Sequence, residues 1–170
     1  MTKDEIEEFL EYQDFIQCQL LYRLGMSINL FTSRKYQYNV GESISGIEIK
    51  NDKRMKDTGN LYIETEERHQ KDKPFVKSGI MREDNTFLWC IGDYERAYLI
   101  SKEQLQVLCI KAEKYKLKKV ETNTSKGVLI PVKYLKEHHM ILKELIFGGT
   151  NENSYTIIMQ KQKEQPRDRN

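Results

Sequence analysis

Over residues 4–23, and on to Leu24, apolar side chains recur at three- and four-residue steps (Ile6, Phe9, Leu10, Ile16, Leu20), while Glu5, Glu7, Glu8 and Glu11 lie elsewhere on the wheel. That spacing predicts an amphipathic helix, capped by Thr2 or Asp4 and ended by Gly25, with its acids at the positive end of the helix dipole. Gln13 and Gln17 fall inside its apolar face and need partners there. Residues 34–40 alternate Tyr36, Tyr38 and Val40, which predicts a strand. Residues 47–52 alternate cleanly, Ile47 and Ile49 to one side and Glu48, Lys50 and Asp52 to the other. After a loop over 53–60, residues 61–66 form a second strand with Tyr62, Glu64 and Glu66 on one side. The two strands are expected to pair as an antiparallel hairpin with a long connection.

Further along, residues 86–91 and 96–100 are β-rich around Gly92-Asp-Tyr-Glu, predicting another hairpin. Ser101 and Gln104 have the spacing of a capping box, and Leu105, Leu108, Cys109 and Ala112 follow on one helical face. A strand is predicted over 127–132 and a short helix over 134–145. From Gly148 the composition changes. The domain is therefore expected over 1–147, with a polar tail at 148–170 that holds one apolar stretch, 155–159, readable as a strand, and ends in ten residues expected to be disordered.

A chain of 170 residues suits one domain. Apolar runs of a few residues cannot cross a bilayer, and the acidic start MTKDEIEEF is no signal peptide, so no membrane partner is expected. Cys18, Cys90 and Cys109 are odd in number, widely spaced and without a CxxC, which reads as reduced thiols of a cytoplasmic protein rather than a disulfide framework or structural zinc site. Lys+Arg 28 against Asp+Glu 26 leaves a net charge of +2, too small to name a partner. Basic residues nevertheless gather at Arg34-Lys35, over 50–56 and over 111–119; such runs are commonly solvated faces. No P-loop, dinucleotide fingerprint or Gly-x-Ser-x-Gly is present, and adjacent His138 and His139 lack zinc spacing.

The sharpest constellation is Asp52 followed by Glu64-Thr-Glu66. Carboxylates of matching parity on adjacent strands share a face, and their mutual repulsion asks for a cation. Mg²⁺ binds one or two carboxylates with waters and phosphate oxygens, the chemistry that activates water against a phosphodiester. Lys50 stands on the same face as a candidate to stabilise phosphate charge. The alternative is an ordinary solvated hairpin face, with Glu64 and Glu66 paired to Lys50 or nearby arginines. Tyr36, Tyr38, Tyr62 and Tyr94 can stack on bases or simply fill a half-exposed sheet.

The stretch GIEIKNDKRMKDTGNLYIETEE, with Ser78-Gly-Ile80, residues 87–91 and Gly92-Asp93, resembles phage- and bacterium-type members of the PD-(D/E)xK nuclease superfamily, over residues 4–132. The resemblance implies a restriction-endonuclease-like α/β fold, a mixed central sheet flanked by helices. It further implies a metal-dependent nuclease that hydrolyses DNA with Mg²⁺ or Mn²⁺. Asp52 and Glu64 match the metal-binding acids. Glu66 stands where the family has lysine, so Lys50 supplies the amine, Glu66 is a further acid, or catalysis is lost and a nucleic-acid- or protein-binding module remains. Gln13 and Gln17 match the polar positions of the family's first helix. A second register, Glu48-Ile-Lys50 with Glu42 upstream, keeps the acid-x-Lys form. Arg34, Lys35, Lys53, Arg54 and Lys56 are the expected phosphate contacts. Pairing of two protomers as a homodimer to cut two strands is left open.

Overall fold

The computed structural model describes residues 3–147. Its elements in chain order are α1 (Lys3–Leu24), α2 (Arg34–Asn39), β1 (Ile47–Asn51), α3 (Met55–Thr58), β2 (Asn60–Glu67), β3 (Val76–Lys77), a 3-10 turn (Gly79–Met81), β4 (Leu88–Gly92), β5 (Arg96–Ser101), α4 (Lys102–Ile110), β6 (Lys118–Glu121), β7 (Ser125–Pro131), α5 (Val132–Glu137) and β8 (Ile141–Ile146). The class is mixed α/β. The expected tail, with its apolar stretch 155–159, lies outside the described residues.

In place of one central sheet, the strands divide between two four-stranded sheets, ordered β1-β4-β5-β8 and β3-β2-β7-β6. The first is mixed, because β1 runs parallel to β4 while β4, β5 and β8 alternate in direction. The second is antiparallel throughout. The predicted hairpin of residues 47–52 with 61–66 is therefore not formed: β1 and β2 belong to different sheets. Hairpin partners are normally joined by a few residues. Here the connection carries its own helical turn, α3, closed by Gly59 in the left-handed conformation at φ +66°, and it lifts the chain out of the first sheet.

The first sheet is covered on both faces. Ile47, Ile49, Cys90, Ala97, Leu99 and Leu145 meet Tyr12, Phe15, Ile16 and Leu20 of α1. On the other face Trp89, Ile91, Tyr98 and Ile100 join Leu61, Ile63, Val128 and Ile130 of the second sheet with Leu105 and Leu108 of α4. Ile47 and Ile49 are buried; burial of each stabilises the edge strand by about 1.5–3 kcal/mol.

Helix α1 ends as expected, with Gly25 at φ +65° and its N–H donating to the Leu21 carbonyl at 2.9 Å. Its buried stripe is centred on Tyr12, Phe15, Ile16 and Leu20, and Leu10 is exposed. Residues 34–40 form α2, not a strand. Tyr36 and Tyr38 are both exposed, so their alternation has no buried face to hold a strand in register. The capping box at Ser101 and Gln104 is not made; Ser101 sits at the N-cap of α4 without a side-chain cap bond. The predicted helix over 134–145 is split into α5 and β8, turned at His139 with φ 51°. The hairpin β4–β5 and the strand β7 stand close to their predicted places. Cys18, Cys90 and Cys109 are free thiols, and among the described residues no helix is long and apolar enough to cross a membrane.

Candidate functional site

A cleft of about 580 Å³ opens between the C-terminal end of β1 and one face of the second sheet. Lys50, Asp52, Lys53, Arg54, Tyr62, Glu64, Trp89, Leu129 and Ser125 are among the residues that line it. Lys50, Asp52 and Glu64 line this one cleft, Lys50 and Asp52 at the end of β1 and Glu64 on the second sheet, not side by side along a hairpin.

Asp52 lies just past β1 and organises the turn that follows. Its Oδ1 accepts from the Arg54 N–H at 3.2 Å, its carbonyl from the Met55 N–H at 3.1 Å, and its Oδ2 from the Tyr62 N–H at 2.8 Å. A short acidic side chain that accepts backbone N–H groups is the usual device for such a turn, and here it also ties the end of the first sheet to the start of the second. Burial pushes the Asp52 carboxyl above the ordinary carboxylate range, against the lowering effect of these hydrogen bonds, with Asp93 adding to the rise.

Glu64 reaches the cleft from β2. Ser78 Oγ donates to Glu64 Oε1 at 2.6 Å, and Gly79, at φ +50°, presses against the strand: a Cβ there would stand 2.6 Å from the Glu64 carbonyl oxygen. The Ser78-Gly-Ile80 motif therefore has a physical meaning, a hydroxyl that aims Glu64, a glycine that admits close approach, and a buried isoleucine that anchors the turn. Burial raises the Glu64 carboxyl as well; Ser78 and Lys50 oppose the rise. Among the described residues neither Asp52 nor Glu64 makes an ion pair.

The residues of the second register form a polar network with Gln13. Lys50 Nζ pairs with Glu48 Oε1 at 2.8 Å, Glu48 being 2% and Lys50 36% exposed. Gln13, buried in α1, donates from Nε2 to Glu42 Oε1 at 3.0 Å, and Glu42 Oε2 accepts from the Ile49 N–H at 2.7 Å. Glu42 and Glu48 do not line the cleft; they stand behind the one residue the two registers share. Burial alone would lower the Lys50 ammonium, but the carboxylates of Glu48, Glu42 and Glu64 raise it above its ordinary value. Lys50 is held charged. Glu48 Oε2 is buried without a hydrogen-bond partner.

Other expected residues are not brought together. A register shift between Glu64 and Glu66 sets them against Gly127 and Lys126, consecutive residues of β7. Consecutive strand residues face opposite ways, so this bulge turns Glu66 out of the cleft, where it pairs with Lys126 at 3.2 Å. Gln17 donates to Asp14 at 3.3 Å on the helix surface, away from the site. Of the basic residues, Lys53 and Arg54 line the cleft, and Lys53 pairs with Glu8 at 2.5 Å. Lys56 pairs with Glu95 at 3.8 Å beside a different depression. Arg34 and Lys35 lie on α2, and Lys35 does not line the cleft. Ser78, Trp89, Thr122 and Ser125 were not singled out as site residues from the sequence; the Ser-Gly-Ile motif and the stretch 87–91 carried a signal for Ser78 and Trp89, and nothing did for Thr122 and Ser125.

Among the described residues no group of three or more His, Cys, Asp or Glu side chains is placed to hold a metal by itself. Mg²⁺ rarely uses an all-protein cage; one or two carboxylates completed by water and phosphate suffice. Asp52 and Glu64, without cationic partners, are a donor set of that kind. No family model matches the chain, and neither a curated protein nor a solved structure matches it.

Proposed function

We propose that this chain is a divalent-metal-dependent nuclease that hydrolyses DNA phosphodiester bonds on a restriction-endonuclease-like scaffold. One observation carries the reading: Asp52, just past the first sheet, and Glu64, on the second, line one cleft with a charged lysine, and among the described residues neither makes a close ion pair. Two carboxylates set against their own desolvation are relieved by a cation. A divalent ion held by Asp52 and Glu64 would lower the pKa of a bound water and neutralise phosphate oxygens. Lys50, kept charged by Glu48 and Glu42, would stabilise the negative charge that grows on the phosphate. Lys53 and Arg54 would grip flanking phosphates, so affinity would fall with salt.

A second reading has its own support. Both Asp52 oxygens already accept backbone N–H bonds, and Glu66, the family's lysine position, is turned away. These favour a module that binds nucleic acid or a protein partner without cutting it. The deciding assay incubates supercoiled, linear and branched DNA with Mg²⁺ or Mn²⁺ against EDTA. Metal-dependent products from the wild type and none from Glu64→Gln support the nuclease, as does a metal-induced rise in melting temperature that this substitution removes. Bound but uncut DNA supports the binding module.

A further inference from the structure

The face of the second sheet that lines the cleft has an unusual composition for a solvent-facing sheet surface. Strand pairing sets Tyr62 opposite Leu129, and Glu64 opposite Gly127, which is in turn opposite Val120. Residues paired across strands share a face, so Tyr62, Leu129 and Val120 form an aromatic and aliphatic wall beside the Glu64 carboxylate. Gly127 supplies no side chain, and the Tyr62 ring takes its place: a Cβ on Gly127 would stand 2.5 Å from Tyr62 Cε2 and 2.7 Å from Cζ. The Tyr62 hydroxyl and Ser125 Oγ share a hydrogen bond of 2.8 Å. The ring is thus pinned at its tip and laid over the bare backbone of β7, while the residue stays only half-buried.

We propose that the cleft receives one unpaired nucleotide of single-stranded DNA, its base stacked on Tyr62 and its phosphate directed to Lys50, Asp52 and Glu64. The inference rests on the reading of the cleft as a nucleic-acid site and names its substrate class. A pre-set aromatic ring on a sheet face, beside cationic groups, is how single strands are held without regard to sequence; one stacked base contributes roughly five- to hundredfold in affinity. Size points the same way. At about 580 Å³ the cleft belongs with small-molecule pockets, large enough for one nucleotide and its base. A base inside a duplex is stacked on both faces and reaches such a wall only if it leaves the helix, at a cost in stacking and pairing. Thr122 and Ser125 at the edge of the wall are hydrogen-bonded to each other at 3.1 Å, and Ser125 to Tyr62, so they brace the ring.

The test is fluorescence anisotropy of the full chain with a labelled 12-nucleotide oligothymidine and a blunt duplex of equal length. It is run in Ca²⁺, with a parallel gel to show the DNA intact. The single strand is expected to bind about tenfold tighter than the duplex. Tyr62→Phe should keep that preference. Tyr62→Leu, which keeps an apolar side chain at this position but has no aromatic face, should lose it through weaker single-strand binding alone. Tyr62→Trp adds a readout that does not depend on the leucine variant folding: oligothymidine should quench its fluorescence beyond the wild-type Trp89 response, and duplex should not. Equal or tighter duplex binding, wild-type binding by Tyr62→Leu, or no added quenching in Tyr62→Trp overturns the proposal. Failure of the nuclease reading is a different result: no cleavage in Mg²⁺ or Mn²⁺ while the Tyr62-dependent preference persists.

Discussion

Among the described residues two lysine–carboxylate pairs have a buried acid, and they differ in how completely the lysine is enclosed. Lys102 and Asp84 are 7% and 1% exposed and 2.6 Å apart. Lys102 also donates to the Arg82 carbonyl at 2.7 Å, and Asp84 Oδ1 accepts the Thr86 N–H at 3.0 Å. Lys50 and Glu48 have a similar separation, 2.8 Å, yet the lysine is 36% exposed and faces the cleft. Its further neighbours are the Trp89 ring, 5.8 Å away, and the carboxylates of Glu42 and Glu64 that act on it at longer range. The enclosed lysine has turned its bonds inward, where they hold the start of α4 to the segment of Arg82 and Asp84. The open pair keeps one donor-rich end toward the cleft and anchors it from behind. One oxygen of each acid, Asp84 Oδ2 and Glu48 Oε2, is buried without a hydrogen bond, so it is the enclosure of the lysine, not the pairing itself, that separates a structural ion pair from a candidate working one.

The largest expected effect falls on the enclosed pair. Lys102→Ala leaves the buried Asp84 with only the Arg82 guanidinium, 3.6 Å from its Oδ2, at a cost of about 3 kcal/mol, and should lower the melting temperature by roughly 10 °C, since each kcal/mol moves a chain of this size by about 2–4 °C. If melting moves by no more than a degree, the contrast between the pairs collapses. Lys50→Met also strands a buried acid, Glu48, 2% exposed, and should cost stability, less than Lys102→Ala because this lysine's side is open to water; its distinguishing effect should be DNA cleavage reduced about 100-fold or more at a temperature where the variant is folded. A variant that melts early yet cuts normally would place Lys50 with Lys102 as a structural residue.

A smaller effect tests the network behind Lys50. Burial is the chief reason that the Glu42 carboxyl lies above its ordinary range, outweighing Lys50 and the Ile49 N–H. The folded chain therefore holds that proton more tightly than the unfolded one. Glu42 contributes stability at acidic pH that is lost as pH rises from the ordinary carboxylate range through the raised value. Glu42→Gln removes this contribution, so the melting temperature of the variant relative to wild type should climb across that window; a constant difference would contradict it. The smallest effect belongs to Glu66→Gln. Its pair with Lys126 is partly exposed, so stability should change by about 0.5 kcal/mol or less, with cleavage and Mg²⁺-induced stabilisation unaltered. Loss of cleavage would return Glu66 to the site.

The hairpin β4–β5, the strand β7 and the first helix with its glycine stop were legible because each depends on patterns within a few residues: alternation, turn chemistry and helical periodicity. Local signals failed where a second element had to choose. The alternation of Tyr36 and Tyr38 could not report that no sheet lies beside them, and the parity of residues 47–52 and 61–66 could not report that the strands join different sheets. The residue types of the site, an acid after β1, an acid on β2 and a lysine two positions before the first acid, were set by the sequence. Tertiary structure decided which of them meet. A single bulge between Glu64 and Glu66 reverses the direction of the latter, because the side-chain period of a strand is two and one extra residue flips everything beyond it. The positions of Ser78 and Tyr62 against Glu64 and Gly127 follow from packing between segments far apart in the chain, which no local pattern encodes.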